Sequence, residues 1–162
     1  MNGIDALIER IFGPFAEALS AMQRAEPSFA VGPFLSGARQ AYEMILTAFE
    51  RGDLTEVRAF LAPQVAEAFE AVIADRKARG IVTEVQYLGT RETALDGAVF
   101  DPQSRVGEVS VRFVGELIAA HRDAEGNVVD GDPKAARKQR DVWTFARRMG
   151  QSDPNWQLVA TA

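Results

Sequence analysis

An α+β fold is predicted for this chain, with helices in the first half packed on a curved antiparallel sheet of four strands built by the second. Two features of the sequence carry that reading. Apolar residues recur every three or four positions as far as Gly80, the period of an amphipathic helix. Beyond it they recur at every second position, the period of a half-buried strand. The strand-like runs are then separated by Asp123-Ala124-Glu125-Gly126-Asn127 and Asp153-Pro154-Asn155, whose residue types make tight turns. Helices followed by hairpin-linked strands is the order of an α+β domain, not of alternating βαβ units.

The first element is a helical arm. Ile4, Leu7, Ile8, Ile11, Phe15, Leu19 and Met22 fall on one stripe, interrupted by Gly13-Pro14, where the missing amide donor predicts a kink or two short helices. Glu26-Pro27-Ser28 and Gly32-Pro33 break the chain. Residues 1–30 are therefore read as an amphipathic arm and residues 31–162 as the main domain. Phe34 to Glu50 forms the second helix, with Phe34, Ala38, Tyr42, Ile45, Leu46 and Phe49 on its core face and Arg39, Glu43 and Glu50 opposite. Gly52 is its left-handed stop. Asp53 with Glu56 reads as a capping box for a short helix, and Pro63 opens another whose core face is Val65, Phe69, Val72 and Ile73 and whose stop is Gly80.

The first strand runs from Val82 to Leu95, with Thr83, Val85 and Tyr87 on one side. The second, Arg105 to His121, alternates Val109, Val111 and Phe113 with Glu108, Ser110 and Arg112. Trp143 and Phe145 mark the third, and Trp156 and Leu158 the fourth. A long meander wrapped on an amphipathic helix is a cystatin-like or nuclear-transport-factor-like roll, and such a roll tends to leave an apolar pocket between helix and sheet.

Composition excludes several function classes. A net charge of −5 is wrong for a sequence-independent nucleic-acid binder, which needs a basic face, so no nucleic-acid partner is expected. The chain has no cysteine, hence no disulfide, thiolate metal site or cysteine nucleophile. No run approaches the roughly 20 apolar residues of a spanning helix. Asp5 and Glu9 break the pattern of a signal peptide, and the chain as it stands is expected to be soluble. No glycine-rich phosphate loop or nucleophile elbow is present, and no catalytic residue, cofactor or metal is expected. His121 is the only histidine, without a second ligand to make a metal site, and reads as a surface residue.

Five ordered segments resemble a known family. They are Phe34-Leu35-Ser36-Gly37-Ala38-Arg39 with Tyr42-Glu43-Met44-Ile45, then Phe49-Glu50-Arg51-Gly52-Asp53-Leu54, then Asp130-Gly131-Asp132-Pro133, then Trp143-Thr144-Phe145-Ala146-Arg147, then Asp153-Pro154-Asn155-Trp156-Gln157-Leu158. Together they resemble the C-terminal domain of the matrix-side adaptor subunit of the mitochondrial inner-membrane protein translocase, in its bacterial version, from about residue 26 to 162. The resemblance implies a non-enzymatic adaptor domain with a hydrophobic pocket, peripheral to the inner membrane on the cytoplasmic side. Its partners would be inner-membrane or membrane-associated proteins. Bacterial relatives commonly carry an N-terminal membrane-spanning segment, for which these 162 residues hold no match. The basic run Lys134 to Arg140 departs from the more acidic lead-in expected of the family.

Three sets of residues are candidates for function. Val111, Phe113, Trp143, Phe145 and Trp156 are expected to line a lipid or ligand pocket, against the simpler reading that they are ordinary core. Lys134, Lys138, Arg140 and Arg148, with Arg137 and Arg147 close by, are expected to meet a partner or anionic lipid headgroups, against a solvated strand edge. Ile4, Leu7, Ile11, Phe15 and Leu19 offer a face for a partner or for homo-oligomerisation, against docking on their own domain. The alternative function is a small-molecule enzyme of isomerase or dehydratase type on a nuclear-transport-factor-like cone. Tyr42, Tyr87 and Asp141 would then supply its acid and base.

Overall fold

The computed structural model describes Gly3 and residues 13–162. The members Ile4, Leu7, Ile8 and Ile11 of the N-terminal stripe lie outside the described residues. A 3-10 turn at Gly13–Phe15 leads into α1 (Ala16–Ala25), followed by α2 (Val31–Arg51) and, after a second 3-10 turn at Arg58–Phe60, α3 (Pro63–Ala78). The strands are β1 (Val82–Phe100), β2 (Val106–Arg122), β3 (Val128–Gly131), β4 (Arg137–Arg148) and β5 (Gln157–Thr161). They form one antiparallel sheet in the order β1-β2-β4-β5, with β3 beside the last residues of β2.

The sheet thus has five strands where four were expected. The extra one is the four-residue β3, which pairs Ala120, His121 and Arg122 before the chain crosses to β4 along the same edge of β2. Gly131 makes that crossing. Its φ of 79° is left-handed, and a Cβ there would lie 2.2 Å from the carbonyl oxygen of Ala119. β1 is longer than predicted and carries three register shifts against β2, between Tyr87 and Gly89, Thr90 and Glu92, and Leu95 and Gly97. Each bulge adds local twist, which curves the sheet around α2.

Odd-numbered residues of β2 and β4 face the helices. Val109, Val111 and Phe113 are fully buried, and Trp143 and Phe145 nearly so. The Tyr42 ring of α2 stacks on Phe113 with centroids 4.2 Å apart and planes 8° from parallel. The helix comes this close because Gly115 leaves room, since a Cβ there would meet the Tyr42 ring and the Tyr87 hydroxyl at 3.2 Å. The even-numbered face carries ion pairs instead, Arg112 with Glu92 and Asp96, while Arg91 reaches Glu116.

α1 belongs to the same core. Leu19 and Met22 are buried with Val109 and Phe145, and Gly107 of β2 lies where a Cβ would press on the Met22 sulfur at 3.0 Å. Leu19 is 1% exposed, so the stripe docks on its own domain there, and the half-buried Phe15 packs against the same cluster.

Four local expectations are corrected. Gly32-Pro33 sits inside the first turn of α2, where a proline needs no amide partner, so the break falls one turn earlier, at Glu26 to Ala30. Asp53 caps a turn and not a helix, with Oδ1 accepting from the amide and hydroxyl of Thr55. Val72 is exposed, and Ala66 takes its place on the buried face of α3. Glu50, placed on the solvent face, is 5% exposed because α3 and β2 close over the end of α2. The stops at Gly52 and Gly80 have the left-handed φ predicted for them, 81° and 68°.

Candidate functional site

A groove of about 530 Å³ runs along the N-terminal half of α2. Its walls come from three parts of the chain. α2 contributes Phe34, Ala41 and Met44, the segment before it Phe29, and the segment entering β5 Trp156, with Phe145 of β4 also on the lining. Phe34 is the hinge of this aromatic set: its ring centroid is 4.7 Å from Trp156, 6.2 Å from Phe29 and 6.2 Å from Phe145. Phe29 and Trp156 also touch, at 5.9 Å. A cleft of this size with a mainly apolar lining and few polar groups suits an aliphatic or aromatic segment.

The wall is held by a buried arginine. Arg147 of β4 donates to Glu26 Oε2 at 2.6 Å and to the carbonyls of Asp153 and Gln151, while Glu26 Oε1 accepts from the Gly150 amide at 2.8 Å. Arg105, held at a left-handed φ of 64°, adds a second tie to the Ala25 carbonyl. These bonds fasten the α1–α2 linker, which carries Phe29, to the β4–β5 loop, which carries Trp156. Burial alone would raise the Glu26 carboxyl pKa, but Arg147 and the Gly150 amide outweigh it and hold the group below the usual glutamate value. The stability this supplies is fully present above the unfolded-state pKa and is lost as pH falls through the lowered folded-state pKa. The urea midpoint of the native chain should therefore exceed that of Glu26→Gln at pH 7, with the gap closing below about pH 4. A gap independent of pH would contradict this account.

A family model, the Tim44-like domain, matches residues 15–162. The chain belongs to the Tim44-like domain family. Among solved structures, the fold is similar to the intermembrane space region of the chloroplast protein ARC6, with a TM-score of 0.52 and 13% sequence identity over 84% of this chain and 97% of that one. Comparison with curated proteins gave no match. The five segments that carried the sequence resemblance all fall inside the matched range, and α1 falls inside it as well.

Of the five residues expected to line a pocket, this Tim44-like domain places two, Phe145 and Trp156, on the groove. Val111, Phe113 and Trp143 are core, between 0% and 4% exposed. Most of the rest of the lining comes from Phe29 and from α2, where Phe34, Ala38 and Ile45 of the apolar stripe are joined by Gly37, Ala41 and Met44 on its flank. A line of Gly37, Ala41 and Met44 at three- and four-residue spacing was the signal available.

The basic residues are not brought together. Lys134, Lys138 and Arg140 are exposed at one end of β4, while Arg148 is exposed eight residues further along the strand, roughly 26 Å from Arg140. Arg147 is buried in the clip.

The three residues weighed for an enzyme do converge. The Tyr42 hydroxyl donates to Asp141 Oδ2 at 2.7 Å, Gln139 donates to the same oxygen at 3.1 Å, and the Tyr87 hydroxyl is bonded to Thr90, which donates to Glu43. Burial first and the Asp141 contact second raise the Tyr42 pKa far above its ordinary range, so its phenol stays a donor. The cavity beside Asp141 is about 120 Å³, well under the roughly 300–1,000 Å³ of small-molecule sites. The pair ties α2 to β4.

His121 is buried, not on the surface. Its Nδ1 lies 2.7 Å from Thr83 Oγ1, and its Nε2 lies 3.7 Å from Glu50 Oε2. Among the described residues no cluster has the makings of a metal site, and no helix is long and apolar enough to cross a membrane.

Proposed function

We propose that this chain is a non-catalytic docking domain that works at the periphery of a bacterial inner membrane, on its cytoplasmic side. Its aromatic groove would receive an apolar segment of a membrane-associated protein. Family membership supports the coarse reading, since Tim44-like domains are in general adaptors that act with membrane-associated translocase proteins. The observation that carries the finer one is the groove itself, walled by Phe29, Phe34 and Trp156 and locked by the Glu26–Arg147 clip. A catalytic centre would gather perturbed titratable groups in its cleft. This cleft gathers rings, and its one perturbed group, Glu26, is already committed to Arg147.

A photoreactive residue at Ala41, compared with one at Arg140, tests the proposal in a membrane fraction. Ala41 on the groove should capture identified inner-membrane or translocation proteins, and Arg140 should not. Capture from Arg140 alone would move the docking surface to the outer face of the sheet. Flotation with vesicles, unaffected by Met44→Asp but lost on charge reversal of Lys138 and Arg140, would assign the membrane contact to lipid headgroups instead.

A further inference from the structure

Met44 is the most exposed large apolar residue of α2, at 48%, and it borders two depressions at once. On one side lies the aromatic groove. On the other, over the C-terminal half of α2 and the turn after it, lies a second depression of about 440 Å³ with Glu43, Asp53 and Glu56 in its lining against Arg51. Glu43 accepts from Thr90 and Asp53 from Thr55, neutral donors that bring no compensating charge, with Lys77 the cation near Asp53. Among the described residues, none of the three carboxylates is in an ion pair. The negative end of the α2 dipole, which stops at Gly52, points into the same region. The surface is therefore continuous along one helix flank, apolar and aromatic over the first half, anionic over the second.

Resting on the reading of the groove as a docking site, we infer that its occupant is a helix with an apolar face and cationic residues at one end, laid along α2. The length fits: the flank from Pro33 to Arg51 spans about 27 Å, or roughly 18 helical residues. The shape fits as well. Gly37, Ala41, Met44 and Ala48 follow helical spacing beside the aromatic wall, and a Cβ at Gly37 would meet open space, so a second helix can approach closely. Charge decides against a second copy of this chain. Its own N-terminal stripe carries Asp5 and Glu9 beside Arg10, which would bring carboxylates to carboxylates.

Three synthetic 18-residue helical peptides without Trp or Tyr test the inference on this chain, read by the change in tryptophan fluorescence, Trp156 being the tryptophan on the groove and Trp143 the buried one. One has a Leu/Ala face and three lysines in its last turn, one has glutamates in their place, and one contains residues 1–12 of this chain. The lysine peptide should bind about tenfold more tightly than the glutamate peptide at low salt, with the difference shrinking as salt rises. Glu56→Lys should cut that preference several-fold, and Met44→Asp should abolish binding of both. Equal binding of the two charge variants would overturn the cationic-helix inference and leave the groove as a docking site. Tighter binding of the residue 1–12 peptide would overturn it in favour of self-association. Binding of none would overturn the inference and the docking reading together.

Discussion

Arg147→Ala should destabilise the domain by about 3–5 kcal/mol, the usual cost of removing one partner from a buried ion pair. For a chain of this length that corresponds to a fall in Tm of roughly 10 °C. The side chain is 4% exposed, and three of its acceptors, Glu26 Oε2 and the carbonyls of Gln151 and Asp153, would lose their donor together. The lower half of the range is the better expectation, because Glu26 is 19% exposed and water can reach it once the arginine is gone. Arg147→Met separates bonding from packing, since it fills much of the same volume without donating. If the methionine variant melts with the native chain, the clip contributes volume and not hydrogen bonds, and the account given for the groove wall fails.

Phe113→Ala should cost a similar amount, about 3–5 kcal/mol, for a different reason. Its ring is fully buried, stacked on Tyr42 and edge-on to Trp143 and Phe145, so truncation opens a cavity under the centre of α2. Trp156→Ala removes a larger side chain but one only half-buried at the groove rim, and should cost about half as much while weakening whatever the groove holds. Chemical denaturation of the two variants gives the comparison. An equal loss from both would mean that Trp156 is core and that the groove is closed in solution.

These two variants also mark the limit of what the chain reveals when read as a string. The alternation of Val109, Val111 and Phe113 with polar neighbours and the glycine stops at Gly52 and Gly80 are local, periodic signals, and the fold class follows from them. Burial of an apolar residue is equally legible. What it is buried against is not, which is why Phe113 and Trp143 were read as pocket candidates when the core takes them whole. Arg147 shows the reverse error. In a run of basic residues it reads as surface, and only its partner Glu26, 121 positions away, shows that the odd face of β4 turns it inward. β3 was missed because Val128-Val129-Asp130-Gly131 is too short to establish a period and pairs only with the end of a strand already long. The groove was half legible: Phe145 and Trp156 were named for it and Phe29 and Phe34 were not, and its floor is made of Gly37 and Ala41, whose importance lies in what they leave open.

The distance along the chain between Glu26 and Arg147 has a consequence for synthesis. Helices α1 and α2 and most of the sheet are synthesised before Trp156, so until β5 is reached Phe29 and Phe34 have each other but lack the third ring of their cluster. A nascent chain that has not yet reached Trp156 therefore leaves one side of Phe29 and Phe34 uncovered. The shaped groove forms when the segment entering β5 joins α2.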